Sequence, residues 1–151
     1  MIRKAKISDV LNIQNLINTN AEKGYLLPRS RSYLYENIRD FWVVEENNQI
    51  EGCIALHIVW EDLAEIKSLV VRQEKRGQGL GKKLVERAIQ EAREYKIKKI
   101  FVLTYIPEYF LKFGFIPIDK SQLPHKIWSE CINCPKFPNC QESAMLKILG
   151  E

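Results

Sequence analysis

The sequence predicts an α/β fold of the α+β kind, with a central, mostly antiparallel twisted sheet flanked by helices in the order β-α-α-β-β-β-α-β-α-β. Three observations predict it. Strand-forming runs at 41–44, 50–60 and 64–71 follow one another through short connections, as in an antiparallel meander. A long amphipathic helix comes next, with Leu80, Leu84, Val85, Ala88, Ile89 and Ala92 on one face and Lys83, Glu86, Arg87, Glu91 and Glu94 on the other. Between meander and helix, Arg72 to Gly81 is basic and rich in glycine. A length of 151 residues suits one domain, 1–151, with its own core, and no Pro/Gly/Ser-rich linker divides it.

In chain order, Ile2 to Lys6 alternates as a strand does, and Ser8-Asp9 offers an N-cap for a helix carrying Val10, Ile13 and Ile17 at helical spacing. Gly24 breaks that pattern, and a second short helix is expected from Ser30 to Asp40. Arg29 and Arg31 stand at its start, where cations face the positive end of the helix dipole and an anion would offset the cost. Glu46-Asn47-Asn48-Gln49 supplies turn residues for a hairpin. Ile100 to Leu103 is a short apolar strand, Pro107 opens another helix, Gly114 stops it, and Ala144 to Leu149 forms the last strand.

Composition removes several function classes. The 23 basic and 19 acidic residues are scattered and leave a net charge of +4, not the basic stripe of a nucleic-acid binder. The longest apolar stretch, Ile54 to Trp60, is far short of the roughly 20 residues a membrane helix needs. No secretory stretch follows the basic N-terminus, so the expected setting is cytoplasmic, with neither membrane nor nucleic acid as partner.

Arg76-Gly77-Gln78-Gly79-Leu80-Gly81 lies between a strand and a long helix, where free N–H groups and the helix dipole make an anion site. Two familiar nucleotide motifs fail on spacing. Gly77 and Gly81 enclose three residues where a P-loop needs four, and Lys83 stands where a hydroxyl would bind magnesium. The dinucleotide fingerprint needs a glycine where Lys82 sits.

Glu74-Lys75-Arg76-Gly77-Gln78-Gly79 resembles the Gln/Arg-x-x-Gly-x-Gly/Ala signature of the GNAT superfamily of acetyl-CoA-dependent N-acetyltransferases, found between the fourth strand and the third helix. Glu74 departs from it at the first position. Tyr109-Phe110-Leu111-Lys112-Phe113-Gly114-Phe115 looks like the family's second motif, and the element order matches over nearly the whole chain. More narrowly, Leu27-Pro28-Arg29-Ser30-Arg31, Ala55-Leu56-His57, Trp60 to Ile66 and Phe101-Val102-Leu103-Thr104 look like short amino-acid N-acetyltransferases of the N-acetylglutamate synthase type. Those make N-acetylglutamate for arginine biosynthesis and lack the amino-acid-kinase domain of the longer enzymes.

The resemblance implies a GNAT fold and acetyl-CoA as co-substrate, held by Leu69, Val70, Val71, Arg76, Gly77, Gln78, Gly79, Leu80, Gly81, Lys82 and Phe110. Acetyl transfer needs a neutral amine, a polarised carbonyl and a proton for the departing thiolate. Glu65, in an Ala-Glu-Ile context shared with family members, is the expected base, with a surface carboxylate paired to a nearby lysine as the alternative. Phe110 occupies the family's usual tyrosine position, which leaves Tyr109 and Tyr105 as candidate acids, core packing as the other reading of Tyr109, and water as the remaining proton source. Arg29 and Arg31 suit carboxylates through bidentate hydrogen bonds, and Lys67 is a candidate for a second acid group. The implied substrate is a small amino acid, L-glutamate first. Another small amine or a peptide N-terminus, and a non-catalytic CoA- or zinc-binding module, are the rival readings. A homodimer stays open as an assembly. His57, in an apolar strand, reads as a satisfied core or cleft histidine.

His125, Cys131, Cys134 and Cys140 crowd a Cys-rich segment, 125–140, with the Cys-x2-Cys spacing of a zinc knuckle. Structural zinc, reduced thiols and a disulfide all stay open there, with His125 or Cys53 as the fourth zinc ligand.

Overall fold

A computed structural model describes residues 1–21, 28–123 and 143–150. It contains β1 (Ile2–Lys4), α1 (Val10–Ala21), α2 (Arg31–Glu36), β2 (Phe41–Glu46), β3 (Gln49–Trp60), β4 (Leu63–Val71), α3 (Leu80–Glu94), β5 (Lys99–Thr104), α4 (Pro107–Leu111), β6 (Ile116–Ile118) and β7 (Ser143–Ile148). The strands form one mixed sheet in the order β1-β2-β3-β4-β5-β7-β6. Among the described strands only β4 and β5 run parallel, joined through α3. A parallel pair needs such a crossover, whereas the meander closes through tight turns. No helix among the described residues is long and apolar enough to cross a membrane.

Three expectations change. Strand β6 was missing from the predicted order: it is three residues long, contains Pro117 and is largely exposed, so it carries almost no hydrophobic alternation. It docks as an edge strand on β7, where a proline is tolerated. The helix expected from Ser30 to Asp40 is two pieces, α2 and a 3-10 turn Ile38–Asp40. Asn37 divides them, closing α2 with both its backbone N–H and its side-chain Nδ2 on Tyr33 O, at 3.0 and 2.8 Å. Ser8-Asp9 is not a simple cap for α1 but part of a 3-10 turn, Ile7–Asp9, in which the Asp9 carboxylate accepts from Lys6 N–H at 2.7 Å.

Each sheet face buries a different set of residues. Val44, Ile54, Leu56, Ala64, Ile66, Ile100 and Val102 pack under α3 and α4, against Leu84, Val85, Ala88, Phe110 and Phe115. Complete burial of such a side chain is worth about 1.5–3 kcal/mol. Gly52 lets α3 come close, since a Cβ there would lie 3.1 Å from Val70 O and 3.2 Å from Leu84 Cδ1. On the opposite face, Phe41, Val43, Cys53, Ala55 and Val70 pack under α1 and α2, and farther along Leu63, Phe101, Leu123 and Ala144 form a second cluster. Period-two alternation along β3 and β4 leaves His57, Glu65 and Lys67 on this face, between the two apolar clusters.

Candidate active site

The sheet opens at its centre. β4 and β5 pair from Leu63↔Lys99 to Ile66↔Val102 and no farther, after which β5 continues against β7 while the rest of β4 keeps only β3. Just beyond the last pair, the β3–β4 register slips so that Ser68 and Leu69 together oppose Ile54. Ser68 adopts φ 56°, a left-handed conformation that bulges commonly assign to glycine. Such a bulge unpairs one residue and re-aims the strand. Here it turns the stretch Leu69 to Val71 along the opening. The Cys53 thiol donates to Ser68 O at 3.3 Å from beneath, and burial pushes that thiol up to about 12, so it packs and does not react.

At one end of the opening lies the glycine loop. Gly77 and Gly79 take φ of 83° and 80°, and a Cβ on either would meet nothing within 4 Å. The glycines therefore serve the backbone turn and not close packing. Gly79 caps α3 with no side-chain hydrogen bond, which leaves the first-turn N–H groups for an anion. Arg76 reaches over this mouth, its Nη2 donating to Asn20 Oδ1 at 2.7 Å and its Nε to Val71 O at 3.1 Å. Lys82 is exposed on the first turn of α3, and Leu80 is buried beneath it.

Tyr109 brings α4 to the same place. A Cβ on Gly81 would lie 2.7 Å from Tyr109 Oη and 3.8 Å from Val71 Cγ2, so the absent side chain makes room for the hydroxyl beside the end of β4. Burial raises the Tyr109 phenol above its ordinary value, and it stays protonated at neutral pH. Phe110, its neighbour, points the other way into the core, 5.5 Å from the Phe115 ring centre. Its side chain is 2% exposed as a residue, which gives it little surface to offer a cofactor.

The polar group lies on the face that α1 and α2 cover. Glu65 is buried, with Lys67 Nζ 3.8 Å from its Oε1. The Tyr33 ring of α2 carries two cations, the Arg29 guanidinium at 4.3 Å and the Lys67 ammonium at 5.7 Å from its centre. Arg29 is fixed by its backbone: its N–H donates to Asn18 Oδ1 at 2.9 Å, and its O accepts from Gln14 Nε2 and Asn18 Nδ2. Beside Glu65, His57 Nδ1 lies 2.7 Å from Asp40 Oδ2.

The structure thus brings Arg29 together with Glu65 and Lys67 of β4, two distant parts of the sequence. It does not bring in Arg31, which is exposed at the first position of α2 and joined to that group by no described contact. Sequence reasoning missed Tyr33, Asn18, Asn20 and Asp40. Only the spacing of Tyr33 four residues after Arg29 hinted at a contact, and amides at helix ends carry no signal of their own. His125, Cys131, Cys134 and Cys140 lie outside the described residues. Among those that are described, no group of three or more His, Cys, Asp or Glu is arranged to hold a metal ion.

Taken together, the geometry offers an anion cradle, a slot through the sheet and a buried carboxylate flanked by cations. The family model described as acetyltransferase (GNAT) matches residues 7–115. An uncharacterized N-acetyltransferase of Chlorobaculum tepidum is 39% identical over 98% of this chain and 96% of its own length. An amino-acid acetyltransferase of Mycobacterium tuberculosis is 36% identical over 86% of this chain and 76% of its own. Among solved structures, N-acetylglutamate synthase from Neisseria gonorrhoeae, complexed with coenzyme A and N-acetyl-glutamate, superposes with a TM-score of 0.91 at 29% identity. That match covers all of this chain and 35% of the synthase.

Proposed function

The chain belongs to the acetyltransferase (GNAT) family and is an acetyl-CoA-dependent N-acetyltransferase, and from that premise we propose that it acetylates the α-amine of L-glutamate. One observation carries this reading: the opening between β4 and β5 has the uncapped glycine cradle at one end and, beside it on the α1/α2 face, a buried carboxylate with Arg29 and Lys67 on one aromatic ring. An amino acid with two carboxylates needs two cations and a base at its nitrogen. A polyamine would need the reverse charge.

In this reading the diphosphate arm of acetyl-CoA rests on the N–H groups of Gly77 to Lys82, with Arg76 and Lys82 alongside, and the acyl end lies along Leu69, Val70 and Val71. Their backbone N–H groups polarise the thioester carbonyl, a preorganised contribution of a few kcal/mol. Arg29 meets the α-carboxylate and Lys67 the side-chain acid. Glu65 takes the ammonium proton, the nitrogen attacks the carbonyl carbon, and the C–S bond breaks. Tyr109, protonated and beside Val71, gives its proton to the thiolate and recovers one from the nitrogen, whose second N–H breaks as the amide forms. No covalent acyl-enzyme is involved. On this reading the enzyme is cytoplasmic and its product feeds arginine biosynthesis.

Thiol release from acetyl-CoA with a panel of L-glutamate, L-aspartate, L-glutamine, glycine, a polyamine and a peptide N-terminus tests it. The expected outcome is the highest kcat/KM for L-glutamate, and a fall of about 10²–10⁴ in kcat for Glu65→Gln with acetyl-CoA affinity kept. A preference for the peptide or the polyamine replaces the substrate, and an active Glu65→Gln removes the base.

A further inference from the structure

A base as enclosed as Glu65 must be cleared of its proton before each new turnover. The residue directly opposite it in the β3–β4 register is His57. Paired antiparallel residues stand on one face with Cβ atoms about 4.5–5.5 Å apart, within reach of each other or of one shared water. The imidazole is held from behind by Asp40, which ends the turn Ile38–Asp40 and accepts from Nδ1–H at 2.7 Å. In the neutral ring that hydrogen bond puts the lone pair on Nε2. Exposure grades in the same direction, from 8% for the Glu65 side chain to 30% for His57.

The charges around the pair run the right way. Lys67 lies 3.8 Å from Glu65 on one side and Asp40 touches His57 on the other, so each charged product of such a transfer, the Glu65 carboxylate and the imidazolium, keeps an opposite charge beside it. Across β5, Glu65 faces Phe101, which adds no charge, and α2 contributes Tyr33 with Arg29 upon it, on the Lys67 side.

Resting on the reading that an amine substrate loses its proton to Glu65, we propose that His57, positioned by Asp40, takes that proton from Glu65 and passes it to solvent. The balance closes within each turnover. An ammonium N–H breaks and an O–H forms on Glu65; that O–H breaks and Nε2–H forms on His57, giving an imidazolium paired with Asp40. Water or buffer then removes the Nε2 proton, while Nδ1–H stays on Asp40. His57 touches neither acetyl-CoA nor the reacting carbonyl in this scheme and acts through Glu65 alone.

Steady-state thiol release with L-glutamate, or with whichever amine of the panel the wild type uses best, tests the relay in wild type, His57→Gln and Asp40→Asn across pH and imidazole concentration. His57→Gln is expected to lower kcat about tenfold with KM for acetyl-CoA unchanged, and added imidazole to restore the rate in a saturable way. Asp40→Asn is expected to lower kcat in the same direction, with KM for acetyl-CoA unchanged. A His57→Gln protein with the wild-type melting temperature that turns over like wild type at every pH overturns the relay alone, as does a loss of rate that imidazole leaves untouched. A wild type inactive on every amine overturns the relay and the reading beneath it.

Discussion

Tyr33 concentrates the substrate question in one side chain. Its ring underlies both the Arg29 guanidinium and the Lys67 ammonium, and its backbone belongs to α2, whose Ser30 cap accepts from Tyr33 N–H at 3.1 Å. A planar platform holds two flexible cations at a set separation, which removes rotamer freedom before a dicarboxylate arrives. Replacing it with an aliphatic residue of similar bulk keeps the packing and deletes the quadrupole. Tyr33→Leu is expected to raise KM for L-glutamate by about five- to thirty-fold, corresponding to ~1–2 kcal/mol of lost cation–π interaction, with KM for acetyl-CoA unchanged. Tyr33→Phe should behave as wild type. Steady-state kinetics with each substrate varied in turn read the difference, and an unchanged glutamate KM in Tyr33→Leu detaches the ring from substrate binding.

Among the elements, β4 carries most of the proposed site, and its bulge sets the strand's course there. A regular β4 would set Ser68 and Leu69 opposite separate residues of β3; with Ser68 at φ 56° both stand opposite Ile54, and the register of the stretch that follows is shifted by one where β5 no longer pairs. Ser68→Val puts a β-branched residue where such a φ is a true outlier. It is expected to lower stability by about 1–3 kcal/mol and to raise KM for acetyl-CoA, whereas Ser68→Gly keeps the bulge and the activity. Denaturant midpoints and acetyl-CoA titration distinguish these from a Ser68 that matters only for packing, in which case the valine variant would unfold earlier yet bind the thioester normally. This bulge was invisible in the sequence. Ala64 to Val71 reads as an uninterrupted apolar-rich strand, and serine carries no bulge signal. What was legible had a local cause: the 3.6-residue periodicity of α3, the glycines before it, and Pro107 and Gly114 around α4. What was not legible depends on contacts far apart in sequence, such as Asn20 on Arg76 across 56 positions or Asp40 on His57 across 17. Edge strand β6 escaped for a related reason, since its pairing with β7 and not its own pattern makes it a strand.

At the scale of the whole molecule, α1 is a frame fastened at both ends. Near its C-terminal end Asn18 and Asn20 hold Arg29 and Arg76, the two arginines nearest the proposed substrates. Its N-terminal end is fastened by Asp9, which accepts from Arg3 Nη1 and Nη2 at 2.8 and 3.1 Å, while Arg3 Nε reaches Glu45 on β2 at 3.0 Å. One buried carboxylate thereby ties β1, β2 and the start of α1 together. The Arg3 hydrogen bonds hold the Asp9 carboxyl below the usual carboxylate range, against the opposing effect of burial. A carboxyl depressed in the folded state contributes stability that is fully present above its unfolded value, about 3.9, and is lost as pH falls through its folded value. Asp9→Asn is therefore expected to cost about 1.5–3 kcal/mol at neutral pH, the range for a hydrogen bond to a charged group. That deficit should stay constant down to about pH 5 and shrink below about pH 4, because the wild type then loses the same charge. Urea midpoints of both proteins at a series of pH values give the measurement. A deficit that persists undiminished into acid would assign Asp9 a purely steric role, and α1 would then owe its placement to the apolar contacts of Val10, Ile13 and Ile17 alone.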